Sequence, residues 1–419
     1  MASVLPSRFH AACEAAAAPL LSDSSLVVIP PRPELLCSVI IPAKDEAENL
    51  PATLAALAAQ VDKQGKALSP YSYEVIVLAN NCQDATAHVA RQMALVYPQL
   101  VLHVVERTLP PAEANVGKAR RLLMDEASRR LRSVGRQHGI IASTDADTRV
   151  TPTWLTDIAG EIAAGADAVG GRILTEASAQ RNCPVRRYHL RDAAYRLLAA
   201  QLEHLIDPSP ADAWPRHHQH FGASFALTVS AYEQVGGLPV VPYLEDEALY
   251  QALCYHDLRV RHSPDVRVIT SARQEGRVAV GLSWQLREWA ALSEQLREPL
   301  VASGPQLATQ WQARRQLRQL WQTIKADGHI TGAVLSPALH AVSGRVASVL
   351  GLTKQALRRA IEQAATFGAL WQRVQQEQAA RRQWVQRWPP VALSVAVAEL
   401  RALLKQYTPL AAVESTLPA

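Results

Sequence analysis

Ser143-Thr144-Asp145-Ala146-Asp147 places two carboxylates two residues apart where the apolar segment Gly139 to Ala142 ends. If strand alternation continues through the motif, Asp145 and Asp147 point to the same side, and their oxygens reach one hard divalent cation or a metal-bound diphosphate. A second acidic group, Leu244-Glu245-Asp246-Glu247, opens the helical stretch Ala248 to His256. A carboxylate there takes a proton from a hydroxyl or complements the positive end of the helix, and the two roles are compatible. Two further polar clusters, Pro42-Ala43-Lys44-Asp45-Glu46 and Asn80-Asn81-Cys82-Gln83-Asp84, each follow an apolar run.

These groups need elements that bring them together. The run from Cys37 reads as a buried parallel strand that stops at Pro42, with a helix from Ala47 to Gln60 behind it. Tyr73 to Ala79 is a second strand, followed by a helix from Ala85 to Tyr97, and Leu100 to Val105 is a third. A basic amphipathic helix, Asn115 to Arg132, opens with Asn115-x-Gly117-Lys118-Ala119-Arg120 and leads into the Gly139 strand. Strand and helix alternate, which predicts an α/β fold with a doubly wound mixed sheet and polar residues gathered at the carboxyl edges of its strands.

This order of motifs resembles the family-2 glycosyltransferases of the GT-A (Rossmann-like) fold, over roughly Leu35 to Gln274. The resemblance implies a nucleotide-sugar donor, linked to UDP or GDP, and a divalent cation (Mg²⁺ or Mn²⁺) as cofactor. It implies donor contacts at Pro42, Ala43, Asp45, Glu46, Asn80, Asn81, Asp84, Gly117, Lys118 and Asp145, with Asp145 and Asp147 as metal ligands. Phe221-Gly222-Ala223-Ser224 and Gly236-Gly237-Leu238-Pro239 are similar to the acceptor-side segment, and Asp246, beside Glu245, to the general base of inverting members. Many such enzymes add a histidine near the end of a strand read here as Val266 to Ser271. This chain has Thr270 and Ser271 there, so His262, just ahead of that strand, is the candidate third ligand. Gly171 and Arg172, then Arg273 and Arg277, are candidates for the donor sugar and the diphosphate oxygens. His217-His218-x-His220 lacks a nearby cysteine, which argues against zinc. His220 and Trp214 are assigned instead, with Gly222, Ala223 and Ser224, to an acceptor pocket. A retaining transferase of the same fold and a non-catalytic nucleotide-sugar-binding or scaffold protein are the alternatives. A sugar nucleotidyltransferase lacks support, since no G-x-G-x-R loop follows the first strand.

The 419 residues, 48% of them hydrophobic, suffice for one catalytic core and a smaller unit. The reading divides them into a mobile lead-in (1–34), the catalytic domain (35–280) and a helical accessory region (281–419). Five cysteines without paired spacing favour a reducing, cytoplasmic setting. Residues 281–419 hold 16 Lys and Arg against 8 Asp and Glu, a net of +8, where the remainder holds 27 against 30. Seven tryptophans lie there too, at 284, 289, 311, 321, 371, 384 and 388. Such helices either pack as a bundle or contact a partner subunit or an anionic membrane, the latter placing the protein peripherally at the inner membrane face. No fold that recognises nucleic acid accompanies the charge.

Overall fold

The computed structural model describes residues 25–176, 184–271, 281–326, 337–381 and 383–414. Along the chain run β1 (Cys37–Ala43), α1 (Leu50–Ala58), β2 (Tyr73–Asn80), α2 (Thr86–Val96), β3 (Leu102–Arg107), α3 (Val116–Ser133) and β4 (Ile140–Ser143). They are followed by β5 (Thr148–Val150), α4 (Trp154–Ala163), β6 (Ala168–Thr175), α5 (Pro184–Ile206), β7 (Phe225–Thr228), α6 (Val229–Gln234), α7 (Glu245–Tyr255) and β8 (Val260–Thr270). The carboxyl-terminal part is α8 (Leu282–Glu294), β9 (Leu300–Val301), α9 (Gly304–Ala326), α10 (Pro337–Val349), α11 (Lys354–Gln363), α12 (Phe367–Arg381), α13 (Gln383–Arg387), β10 (Val391–Ala392) and α14 (Leu393–Glu414).

One eight-stranded sheet, ordered β3-β2-β1-β4-β7-β6-β8-β5, organises the catalytic part. β1 pairs in parallel with β2 from Cys37↔Tyr73 to Ala43↔Ala79. With β4 it pairs only from Cys37↔Ile140 to Ile40↔Ser143. Pro42, which has no N–H to offer, therefore falls where β4 has already turned away, and a crevice opens at the switch point between the two strands. β7 runs antiparallel to both β4 and β6, and β5 antiparallel to β8, so the sheet is mixed.

Apolar layers cover both faces. Leu50, Leu54 and Leu57 of α1 and Trp154 and Ile158 of α4 pack on Val39 and Ile41 on one side. Leu123, Met124, Ala127 and Leu131 of α3, with Leu249 and Leu253 of α7, pack on Ile40, Ile76 and Leu78 on the other. Beneath this second layer Glu74 is buried on β2, yet Arg130 and His103 outweigh the desolvation and hold its carboxyl down at about 2.

Contacts at the two ends of the described chain bear on how it is organised. The described part of the lead-in is not loose: Val27 is buried, and Leu26 and Val27 donate their N–H groups to Glu126 at 3.2 Å each. The helices after residue 280 are also not set apart. Leu202 and Ile206 of α5 share one apolar cluster with Ala308 and Trp311 of α9 and Leu400 and Leu404 of α14. Four of the tail tryptophans pack in apolar clusters of these helices. Trp289 and Trp311 are buried, Trp321 and Trp371 lie against the α9–α12 core, and Trp384 sits beside Trp388 at 6.2 Å. Among the basic residues beside the last two tryptophans, Arg382 lies outside the described residues, and Arg387 covers the Trp388 ring at 5.4 Å. Among the described residues no helix is long and apolar enough to cross a membrane.

Candidate active site

The Asp145-Ala146-Asp147 motif does not continue the strand. β4 ends at Ser143, and Asp145 and Asp147 belong to a tight turn into β5, closed by the Thr148 N–H on the Asp145 carbonyl at 3.2 Å. Turn geometry, not strand alternation, therefore aims the two carboxylates. Thr53 of α1 donates to the Ala146 carbonyl at 2.9 Å, and the Ser271 N–H donates to that of Asp147 at 3.3 Å. The end of β8 thus reaches the motif. Arg273 and Arg277 lie outside the described residues.

Gly222-Ala223-Ser224 forms a 3-10 turn ahead of β7. Ser143 Oγ bonds the Gly222 carbonyl at 2.9 Å and Thr144 Oγ1 bonds that of Ala223 at 3.0 Å, fastening this turn to the end of β4. Ser224 is buried, with its hydroxyl accepting from Trp154 Nε1 at 3.0 Å, so its role is in the frame. A Cβ on Gly171 would lie 2.1 Å from Ser224 Oγ, and a bulge in the β6–β8 pairing follows between Gly171 and Arg172. Gly171 consequently serves close packing, and Arg172 is exposed on the strand.

Helix α7 begins at Glu245, earlier than its apolar pattern implies, with Leu244 in the left-handed region (φ 60°) just before it. Asp246 Oδ2 accepts the Gly222 N–H at 2.9 Å and Oδ1 the Glu247 N–H at 2.8 Å. Its carboxylate is thereby held at the helix start, against the Gly222 turn. Glu245 turns inward to Arg120 of α3, whose other guanidinium nitrogen bonds Asp145 Oδ1 at 2.6 Å. Gly222 has no side chain because Arg120 fills that space: a Cβ would lie 2.4 Å from its Cζ. Burial raises the carboxyls of Asp145 and Glu245, and Arg120 opposes the shift. Asp145 keeps 37% of its side chain accessible through the cleft mouth, while Glu245 and Arg120 are sealed.

The residues expected to face a donor line the loops after β1 and β2. Asp45 Oδ1 accepts the Gln83 N–H at 2.6 Å and Asp84 Oδ2 accepts that of Ala47 at 3.0 Å, so each loop holds the other. Asn81 bonds both the N–H and the carbonyl of Leu109, clamping the exit of β3. Asn80 and Glu46 are buried, and Pro42 and Ala43 end β1. Asn115 caps α3 through the Lys118 N–H at 2.9 Å, with Gly117 close under the Val241 carbonyl and Lys118 paired to Glu113. Asp45 and Asn81 share the left-handed backbone of Leu244, so three strained non-glycine residues border the cleft. Among the described residues the one set of three compact enough to share an ion is Asp45, Cys82 and Asp84, not Asp145, Asp147 and His262.

His262 lies inside β8, not ahead of it, and both ring nitrogens face partners. Nδ1 donates to Asp212 at 2.8 Å, and Nε2 lies 3.4 Å from His220 Nδ1. His220 Nε2 donates to Glu247 at 2.8 Å, and its ring stacks on Tyr250 at 3.8 Å. Trp214 is 38% exposed and its ring lies 6.2 Å from that of His204. His217 bonds the Ser263 carbonyl at 2.9 Å, so the three clustered histidines do not converge on a single point.

Burial pushes His217 down to about 3 and His218 to about 2, from 6.5. Both are neutral in the fold but bind protons once unfolded, so stability is lost as pH falls below about 6.5. A melting curve taken from pH 7 to 5 should decline, and the His218→Gln variant should decline less steeply. Identical slopes for the two proteins would show that His218 is not held neutral.

Arg120 and the hydroxyls of Thr53, Ser143 and Thr144 were not legible as site residues. A signal was present for Arg120, which falls one position after Ala119 on the buried stripe of α3. Charge alone places such a residue outward, yet Arg120, Arg121 and Arg130 are all buried.

Residues 38–227 match the family model described as glycosyl transferase family 2. A curated relative, the glycosyltransferase AglE of Haloferax volcanii, is 32% identical over 138 residues, 32% of this chain and 38% of the relative. The chain thus spans 38% of that relative's length. Among solved structures, the mannosyltransferase PcManGT of Pyrobaculum calidifontis, in complex with GDP-Man and Mn²⁺, is 18% identical, with 92% of this chain and 90% of that one covered at a TM-score of 0.40. TarS of S. aureus (residues 1–349) is 16% identical, with 83% and 92% covered at a TM-score of 0.41. Overlaps at that level say nothing of site or substrate. The match over 38–227, together with the mixed sheet and the carboxylates at its edge, makes this segment similar to the family-2 glycosyltransferases.

Proposed function

We propose that the chain transfers a single sugar from a UDP- or GDP-linked donor to an acceptor hydroxyl, with inversion and with Asp246 as general base. The observation that supports this most is the Arg120 bridge: one buried guanidinium bonds Asp145 and Glu245, so the Asp-x-Asp turn and the start of α7 border the same cleft. Asp145 and Asp147 offer hard carboxylate oxygens on a turn, a donor set that suits Mg²⁺ or Mn²⁺. His262 is committed to Asp212 and His220 and is left out of that set. The cation would offset the charge on the departing nucleoside diphosphate. The chain's own residues supply the rest. Backbone N–H groups of Gly222 and Glu247 fix the direction of the Asp246 carboxylate, which takes the acceptor proton as the new glycosidic bond forms. The bond to the nucleotide breaks on the opposite face of the sugar.

Asp147→Asn keeps the shape of the turn and removes one charge. Thermal stabilisation by UDP or GDP should require Mn²⁺ or Mg²⁺ in the native protein and be weakened in the variant. A native enzyme that transfers sugar at full rate in excess chelator would defeat the metal assignment.

A further inference from the structure

Helix α7 carries Asp246, and the carboxyl-terminal helices grip it at both ends. At its far end the N–H groups of Phe367 and Gly368, which open α12, donate to the two oxygens of Asp257 at 2.7 Å each. Gln372 of α12 bonds the Gln251 carbonyl at 2.9 Å. The contact between the helices is so close that a Cβ on Gly368 would fall 1.7 Å from the Cys254 carbonyl oxygen. At the catalytic end the connection is indirect. Arg314 of α9 donates to Glu203 at 2.8 Å, and Glu203 accepts from Arg216 at 2.6 Å. Arg216 also donates to Asp212 at 2.8 Å. The line continues from Asp212 to His262, across the edge contact of the His262 and His220 rings at 5.7 Å, and from His220 to Glu247, the residue beside Asp246. Arg314 is fixed further by Asp207 at 2.5 Å and by the Trp371 ring at 6.0 Å. Asp207, Asp212, His220 and His262 are buried, where leaving a partner unmade is costly, so a change at one link is passed to the next.

We propose that the carboxyl-terminal helices are the positioning element of the base helix: Arg314, Asp212, His262 and His220 set where the start of α7 sits, although Arg314 lies on a helix outside the family-matched segment. These are positioning residues, acting on the acceptor step through Glu247. The claim about catalysis rests on the proposed role of Asp246, whereas the claim about coupling does not.

Amide hydrogen exchange on the full chain separates the two. Arg314→Met should raise exchange of the α7 amides, residues 245–255, by roughly tenfold while leaving β1 and β2 unchanged. His220→Gln should do the same. Since the two sit on one line, the double variant should exceed the larger single effect by less than about twofold. Should Arg314→Met fail to fold, Asp257→Asn, an exposed position, loosens the other end and carries the same test. Native exchange in α7 of a folded variant, or effects of Arg314→Met and His220→Gln that multiply, would overturn the proposal. With any donor and acceptor that turn over, kcat should fall with the donor KM held. Faster α7 exchange at unchanged kcat would overturn the positioning of the base. If Asp246→Asn itself retains transfer, the base assignment fails, and the exchange result still decides the coupling.

Discussion

Replacing Asp246 with Asn is expected to lower sugar transfer by roughly 10²-fold or more, with donor affinity little changed. The amide keeps the size of the carboxylate and one acceptor oxygen, so it still takes one of the two N–H groups, from Gly222 or Glu247, that hold Asp246. What it loses is basicity. A small decline in melting temperature from the second N–H is expected alongside, far too small to account for the loss of rate. The product's anomeric configuration supplies the independent check: retention would rule out a single displacement even if the variant were inactive.

Arg120→Met is expected to destabilise the protein most. Arg120 and Glu245 are sealed from solvent, and removing the cation leaves Glu245 buried beside Asp145 with no opposing charge. Breaking such a pair costs about 3–5 kcal/mol, toward the lower figure here because Asp145 is partly reached by water. The double variant Arg120→Met with Glu245→Gln should recover part of the loss, since it also removes the stranded charge. A single variant that melts with the wild type would mean that the bridge contributes nothing, and that Asp145 and Asp246 are aligned by the turn and the Gly222 N–H alone.

The first half of the sheet was legible because the runs Cys37–Ala43, Tyr73–Asn80 and Ile140–Ser143 are buried on both faces and end in polar residues, so their carboxyl edges announce themselves. Strand direction was not. Phe225–Leu227 is apolar throughout, and nothing in a continuous hydrophobic run says that it lies antiparallel between β4 and β6. The same limit hid the place of His262, which pattern put ahead of a strand that in fact begins at Val260. The carboxylates at 145, 147, 245 and 246 stand out by motif and order, while Arg120, the cation joining Asp145 to Glu245, does not. Arg120 is a charged residue in an interior position, and burial of that kind is decided by partners from distant segments.

The gap between β1 and β4 has a consequence for how such a molecule changes over time. Its floor is made by ladder hydrogen bonds that stop after Ile40↔Ser143, with Pro42 unable to extend them. A cavity defined by where main chain ceases to pair does not move when the side chains around it are exchanged. Lineages can therefore rewrite the loops bordering it while the gap itself stays fixed.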